Sequence, residues 1–164
     1  MTKFDAELLL DTKILLRYMS QDRPDHSARA AAFMEAIASG GVVVFVLNTV
    51  VFETVFLLEK QYRRTRTWIC EAITRILALQ AARVERRAEV ALALGIYTTT
   101  NLRLADAFHA AITPGDDLAG IASFDRGLDR VPVFAASSPD LPVSGGKTDR
   151  LGRTRHRQLA KVVA

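Results

Sequence analysis

Four acidic residues occupy positions where the surrounding sequence is apolar. Asp11 follows the run LLL, and Asp125 follows the segment LAGIASF. Glu53 lies among valines and phenylalanines in TVVFETVF, and Asp106 lies between two alanines in LADAFHA. An ionised carboxylate in an apolar environment costs free energy unless it is paired or binds a metal. These four residues are therefore the strongest candidates for chemistry in this chain.

The chemistry follows from bringing such acids together. Clustered carboxylates repel one another, and a divalent cation placed between them removes the conflict. Oxygen ligands without paired Cys or His side chains favour Mg²⁺ or Mn²⁺ over Zn²⁺. Such an ion can bind a phosphate oxygen, activate a water molecule and stabilise the leaving oxygen. The acids therefore predict a metal-dependent phosphodiesterase site.

The hydrophobic pattern predicts the elements that position these acids. The short apolar run that ends at Asp11 predicts a buried strand, and GVVVFVL predicts a strand that is apolar on both faces, as in parallel sheets. LAGIASF predicts another strand, and ARVE and VPVF are candidates for further short strands. Helical segments separate these runs, which indicates an α/β domain with a mostly parallel sheet. Ligand sites of such sheets lie outside the carboxyl ends of the strands, so the four acids can face one edge.

Several stretches of the chain together resemble the PIN domain family, and within it the VapC-type ribonuclease toxins of bacterial toxin–antitoxin pairs. The stretches are LLLDTKILLRYMSQD, VLNTVVFETVFLLEK, LADAFHAAI and IASFDRGLDRVP, and the resemblance covers roughly residues 7–135. The family pattern has an aspartate that opens a DTN-like motif and a glutamate in the helix after the second strand. Later aspartates follow in a DA-x-x-A-type motif and a T/S-F-D motif. By position these four acids are Asp11, Glu53, Asp106 and Asp125.

The resemblance implies a fold, an activity and partners. The fold is a PIN-like three-layer α/β/α sandwich whose central, mostly parallel sheet has about four or five strands. The same four acids are expected to bind Mg²⁺ or Mn²⁺ and to catalyse RNA cleavage. The expected partners are the RNA substrate, a cognate small antitoxin protein that covers the site, and a second copy of the chain in a homodimer. The predicted function is the endoribonuclease toxin of a type II toxin–antitoxin pair.

Three further side chains are expected to support the site. The hydroxyl of Thr12 can hold Asp11 or a water molecule at the metal, or it can cap a helix. Ser123 occupies the T/S position of the T/S-F-D motif. Lys13 departs from the family, which usually has asparagine at this position. Its ammonium group either competes with the metal for the acids, which would weaken activity, or extends outward to an RNA phosphate, and the sequence leaves both open.

Other polar residues are weaker candidates. His109 lies three residues after Asp106 and shares its helical face, but the chain has no second histidine at ligand spacing, so a packed or hydrogen-bonded role is favoured. The candidate contacts to RNA phosphates are Arg17, Arg23 and Arg103.

Composition limits the class of protein. The chain has 164 residues, of which 49% are hydrophobic, and this suits one domain with a substantial core. The single cysteine, Cys70, excludes an intrachain disulfide and fits a reducing, cytoplasmic setting. The longest apolar run, Val42 to Leu47, is far too short to span a membrane, and the N-terminus does not have the pattern of a signal peptide.

The charge pattern separates a basic tail at residues 136–164 from residues 1–135, which the resemblance implies form a PIN-like nuclease domain. From Pro139 onward there are six basic and two acidic residues, so the excess of +4 in the whole chain arises here. The tail is rich in Ser, Pro and Gly and has no sustained apolar periodicity, so it is expected to be disordered.

Two alternatives to an active ribonuclease stay open. The first is a PIN-fold binding module with little catalytic activity, whose main role is to bind the antitoxin; the lysine at position 13 motivates it. The second is an α/β phosphotransfer domain. A phosphatase of the haloacid-dehalogenase type needs a second aspartate two residues after the first, where this chain has Lys13, so this alternative is weak.

Overall fold

The structure is a computed structural model, and it describes residues 7–114, 116, 118, 120–123, 125–128 and 131. Within these residues the chain forms six α-helices and three β-strands. No helix in this part of the chain is both long enough and apolar enough to cross a membrane.

The strands form one parallel sheet. They are β1 (Leu8–Leu9), β2 (Val44–Val46) and β3 (Ala82–Val84), in the order β1-β2-β3. The β-branched residues of β2 suit this central position, and Val44 and Val46 are both 0% exposed. The prediction of an α/β domain with a parallel sheet is confirmed.

Helices make the crossovers that a parallel sheet requires. One pair connects β1 to β2, a second pair connects β2 to β3, and a third pair follows β3. In chain order the helices are α1 (Thr12–Ser20), α2 (Pro24–Ala38), α3 (Asn48–Lys60), α4 (Arg66–Leu77), α5 (Arg87–Thr99) and α6 (Leu104–Ile112). Their buried faces and the sheet enclose one hydrophobic core, which includes Leu15, Leu58, Ile73 and Leu94.

The number of strands differs from the expected four or five, because the part of the chain that the structure describes contains three. The expected strand LAGIASF is described only in part and has an isolated bridge at Ala122. The expected strand VPVF lies outside the described residues except for Val131, and the basic tail at 136–164 lies wholly outside them.

The first strand is less buried than its apolar sequence predicts. Leu8 and Leu9 are 38% and 65% exposed, whereas Leu10 is 2% exposed. Among the described strands, β1 pairs only with β2 and lies at one end of the strand order. The expectation of a buried strand was therefore wrong for these two leucines.

Candidate active site

The carboxyl ends of the three parallel strands meet at one edge of the sheet. Asp11 follows β1, Asn48 follows β2 and Glu85 follows β3. The carboxylate of Glu85 accepts a hydrogen bond from the backbone N–H of Asn48 at 3.1 Å. This contact holds the first residue of α3 against the end of β3. The sequence analysis did not single out Glu85, although the rule that identified Asp11, an acid directly after a strand, applies to it as well.

Thr12 joins the first strand to helix α3. Its side chain is buried, with a residue exposure of 5%, and its hydroxyl donates a hydrogen bond to Glu53 Oε2 at 2.7 Å. The preceding residue, Asp11, caps α1 by accepting a hydrogen bond from the Lys13 backbone N–H at 3.0 Å. The structure thus brings Asp11 and Glu53 to the same edge. The hydroxyl of Thr12 contacts Glu53 and not Asp11.

The beginning of α6 lies beside Glu53. Helices α3 and α6 pack through Phe52 and Phe108, whose ring centroids are 5.0 Å apart in an edge-to-face arrangement. Glu53 and Arg103 line the same open cleft, of about 310 Å³. Asp106 lies in the first turn of α6 and is half-buried. The geometry therefore places the first residues of α6 next to Glu53, with Arg103 exposed.

Asp125 lies in a tight turn that faces the segment before α6. The Ser123 hydroxyl accepts a hydrogen bond from the Asp125 backbone N–H at 3.0 Å, and Asp125 Oδ1 accepts one from the Gly127 N–H at 2.7 Å. A Cβ atom at Gly127 would lie 2.9 Å from a methyl carbon of Leu102 and 3.0 Å from Asp125 Oδ1, so a larger residue would require these side chains to shift. Ser123 supports the backbone of Asp125, and Gly127, which the sequence analysis missed, allows the close approach.

Arg66 holds the segment that leads into α6. One of its terminal nitrogens donates hydrogen bonds to the carbonyls of Tyr97, Thr100 and Leu102 at 2.9, 2.9 and 2.8 Å. The guanidinium group also lies 4.3 Å from the centroid of the Tyr97 ring. Burial and the nearby carboxylate of Glu59 raise the pKa of Tyr97 to about 12. No motif in the sequence indicated this role for Arg66, because it depends on carbonyls that are distant along the chain.

Lys13 points away from the acids. Its side chain is exposed and lines a cleft between α1 and α2. No carboxylate of the described residues lies within 4.0 Å of its ammonium group. Of the two orientations that the sequence left open, these observations favour the outward one.

The two other candidate RNA contacts, Arg17 and Arg23, differ in whether a carboxylate pairs with them. Arg17 pairs with Asp22 at 2.7 Å, and Ser20 and Tyr62 also donate hydrogen bonds to that carboxylate. These partners, Arg17 foremost, hold the pKa of Asp22 well below its usual range. The charge of Arg17 is therefore largely compensated within the protein. Arg23 has no such pair among the described residues and lines the same cleft as Lys13.

A profile of the PIN domain family matches residues 8–133. The chain belongs to the PIN domain family. PIN domains are generally nucleases that use divalent metal ions, which supports a nuclease role for this chain. The matched region contains the four candidate acids, and the whole basic tail lies beyond it. A search of curated proteins found no match.

The donor chemistry of this edge of the PIN domain fits a hard divalent cation. The candidate ligands are carboxylates, and the buried side-chain oxygen of Asn48 at the same edge has no hydrogen-bond partner within the described part of the chain. Asp11, Glu53 and Asp125 each use one carboxylate oxygen in the hydrogen bonds given above and keep a second one.

The positions of these side chains do not themselves make a metal centre. In the described ranges, no three Asp, Glu, His or Cys side chains come together as a metal-binding group. The assignment of the four acids as ligands therefore stays a prediction.

Proposed function

We propose that this PIN domain is a metal-dependent endoribonuclease that hydrolyses RNA phosphodiester bonds. The observation that carries the proposal is the 2.7 Å hydrogen bond between Thr12 and Glu53, because it joins the residue after Asp11 to the acid of α3 at the carboxyl edge of the sheet. The metal is Mg²⁺ or Mn²⁺, and Asp11, Glu53, Asp106 and Asp125 hold it and form the catalytic set.

Each part of the chain has a distinct role in this proposal. A bound divalent ion supplies positive charge for the phosphodiester oxygens and helps to generate the nucleophile. Thr12 fixes the orientation of Glu53, and Ser123 fixes the turn that carries Asp125. Arg103, exposed at the rim of the cleft beside Glu53, binds an RNA phosphate.

The biological context is a further part of the proposal. The resemblance to VapC-type proteins supports a toxin of a type II toxin–antitoxin pair, inhibited in the cytoplasm by a cognate small antitoxin protein. The same resemblance supports a homodimer. The expected results are loss of cleavage when a cognate small antitoxin protein is added, and a dimer mass by light scattering.

The central experiment is cleavage of total RNA by the purified chain with Mg²⁺, with Mn²⁺ or with EDTA. Defined fragments are expected with either metal and not with the chelator. Asp11→Asn and Glu53→Gln should each reduce the rate by about 100-fold or more, because each removes a charged oxygen donor. Glu35→Gln and Glu71→Gln are matched controls, since both glutamates are exposed on helices and should leave the rate unchanged.

A second candidate is a binding module of the same fold with little catalytic activity. It is favoured by one observation, that the described acids do not form a metal-binding group of three. The same experiment separates the two candidates. Absence of cleavage with every divalent metal, together with tight binding of a small antitoxin protein, would favour the binding module.

A further inference from the structure

The cleft between α1 and α2 is built from basic and apolar side chains. It has a volume of about 510 Å³ and runs along one face of each helix. From α2 it receives His26, Arg29, Ala30 and Phe33, whose spacing of three and four residues places them on one side of that helix. The lining is completed by Lys13, Ile14, Arg17 and Arg23.

The positive charge of this cleft is only partly compensated. Arg17 pairs with Asp22, but Lys13, Arg23 and Arg29 have no carboxylate within 4.0 Å among the described residues. None of the described side chains that line the cleft is acidic. Cations that converge on one concave surface without counter-charges are a site for a polyanion.

One end of the cleft lies beside Asp11, at the carboxyl edge of the sheet. The backbone N–H of Lys13 is hydrogen-bonded to the Asp11 carboxylate, while the side chain of Lys13 lines the cleft. A nucleic-acid strand bound along α1 and α2 would therefore reach Asp11, the first of the four candidate acids. The apolar side chains Ile14 and Phe33 add surface for a base, which a stack of single-stranded nucleotides requires.

We infer that the cleft between α1 and α2 binds the phosphate backbone of single-stranded RNA and directs the RNA toward Asp11 at the carboxyl edge of the sheet. The inference depends on the proposed function only in taking RNA as the substrate. Lys13, Arg23 and Arg29 contact successive phosphates. Arg17 takes no direct part, because its charge is held by Asp22.

The test measures binding separately from cleavage. The full chain carrying Asp11→Asn is titrated in EDTA against a short, unstructured, fluorescently labelled RNA, and anisotropy gives the Kd over a range of salt concentrations. Adding Arg23→Gln and Arg29→Gln should weaken binding about 25-fold at about 0.1 M salt. The slope of log K against log salt should fall by about 1.4, because each phosphate contact to a single strand contributes about 0.7.

Two further variants make the result specific. Arg23→Lys with Arg29→Lys keeps both charges and should retain most of the affinity. Arg63→Gln with Arg75→Gln removes two exposed arginines outside the cleft and should change the Kd by no more than about twofold. Circular dichroism and thermal melting confirm that each variant is folded.

The binding experiment can fail or succeed independently of the cleavage experiment that tests the proposed function. Equal losses in both glutamine pairs, or no loss in the cleft pair, would overturn the inference even if the enzyme cleaves RNA. The inference would also be overturned if an acidic peptide displaced the RNA when both carry the same total concentration of negative charge. That result would assign the cleft to an acidic protein segment. A cleft-dependent Kd with no cleavage in any metal would support it while the nuclease proposal fails.

Discussion

The hydroxyl of Thr12 donates a 2.7 Å hydrogen bond to Glu53 Oε2 across 41 residues of sequence. Thr12 is buried, whereas Glu53 is exposed toward the carboxyl edge of the sheet. One uncharged side chain thus fixes the position of an acid that would otherwise turn freely in solvent. This relationship joins the packing of α1 against α3 to the candidate chemistry.

Replacement of Thr12 by valine keeps the shape and removes the donor. We expect Thr12→Val to reduce kcat roughly five- to tenfold, which corresponds to a hydrogen bond of about 1 kcal/mol. Thr12→Ser should retain most of the activity. The matched control is Thr54→Val, since among the described residues the buried Thr54 hydroxyl bonds only to the Val50 carbonyl of its own helix. An equal loss of kcat in both valine variants would contradict the role given to Thr12.

Removal of Arg66 should destabilise the segment that leads into α6. We expect Arg66→Ala to lower the free energy of unfolding by roughly 2–3 kcal/mol, because three carbonyls lose a charged donor. Arg66→Lys should recover little of this loss, since an ammonium group cannot match the geometry of the guanidinium. Urea denaturation measures the free energy of unfolding of both variants. Arg75→Ala, at an exposed position of α4, is the control and should change stability by less than about 0.5 kcal/mol.

The stability of the protein should depend on Asp22 in acid. Its pKa is lower in the folded protein than in the unfolded chain, mainly because of the hydrogen bond from Arg17. The stabilisation is therefore complete above the ordinary value of 3.8 and is lost as the pH falls below it. Urea titrations at a series of pH values measure the free energy of unfolding. The difference in this free energy between wild type and Asp22→Asn should shrink below pH 3.8. Arg17→Gln should remove most of the same dependence, and a constant difference across the series would contradict it.

Replacement of Lys13 by asparagine tests its outward orientation. We expect Lys13→Asn to raise KM for RNA about fivefold at about 0.1 M salt through the loss of one phosphate contact. The kcat and the metal concentration needed for half-maximal activity should stay the same, since the ammonium group has no described carboxylate within 4.0 Å. A lower metal requirement in the variant would instead mean that the lysine competes with the cation.

Much of the fold follows from local patterns. The strand β2 was predicted from its run of β-branched residues, and the parallel sheet from the alternation of strands with helices. The exposure of Leu8 and Leu9 was not predicted, because an apolar run does not show whether a neighbouring strand covers it. The described residues contain three of the four or five expected strands, because VPVF lies largely outside them and LAGIASF is described only in part.

The sequence by itself determined which acids are candidates, their order, and the family to which the chain belongs, since these depend on residue types and short spacings. Only the tertiary structure decided that Thr12 contacts Glu53, that Arg66 holds the carbonyls of residues 97, 100 and 102, and that Lys13 lines the cleft with Arg29. The physical reason is that helical and strand periodicity arise from neighbouring residues. Contacts between distant residues arise from the packing of whole helices, which no local spacing specifies.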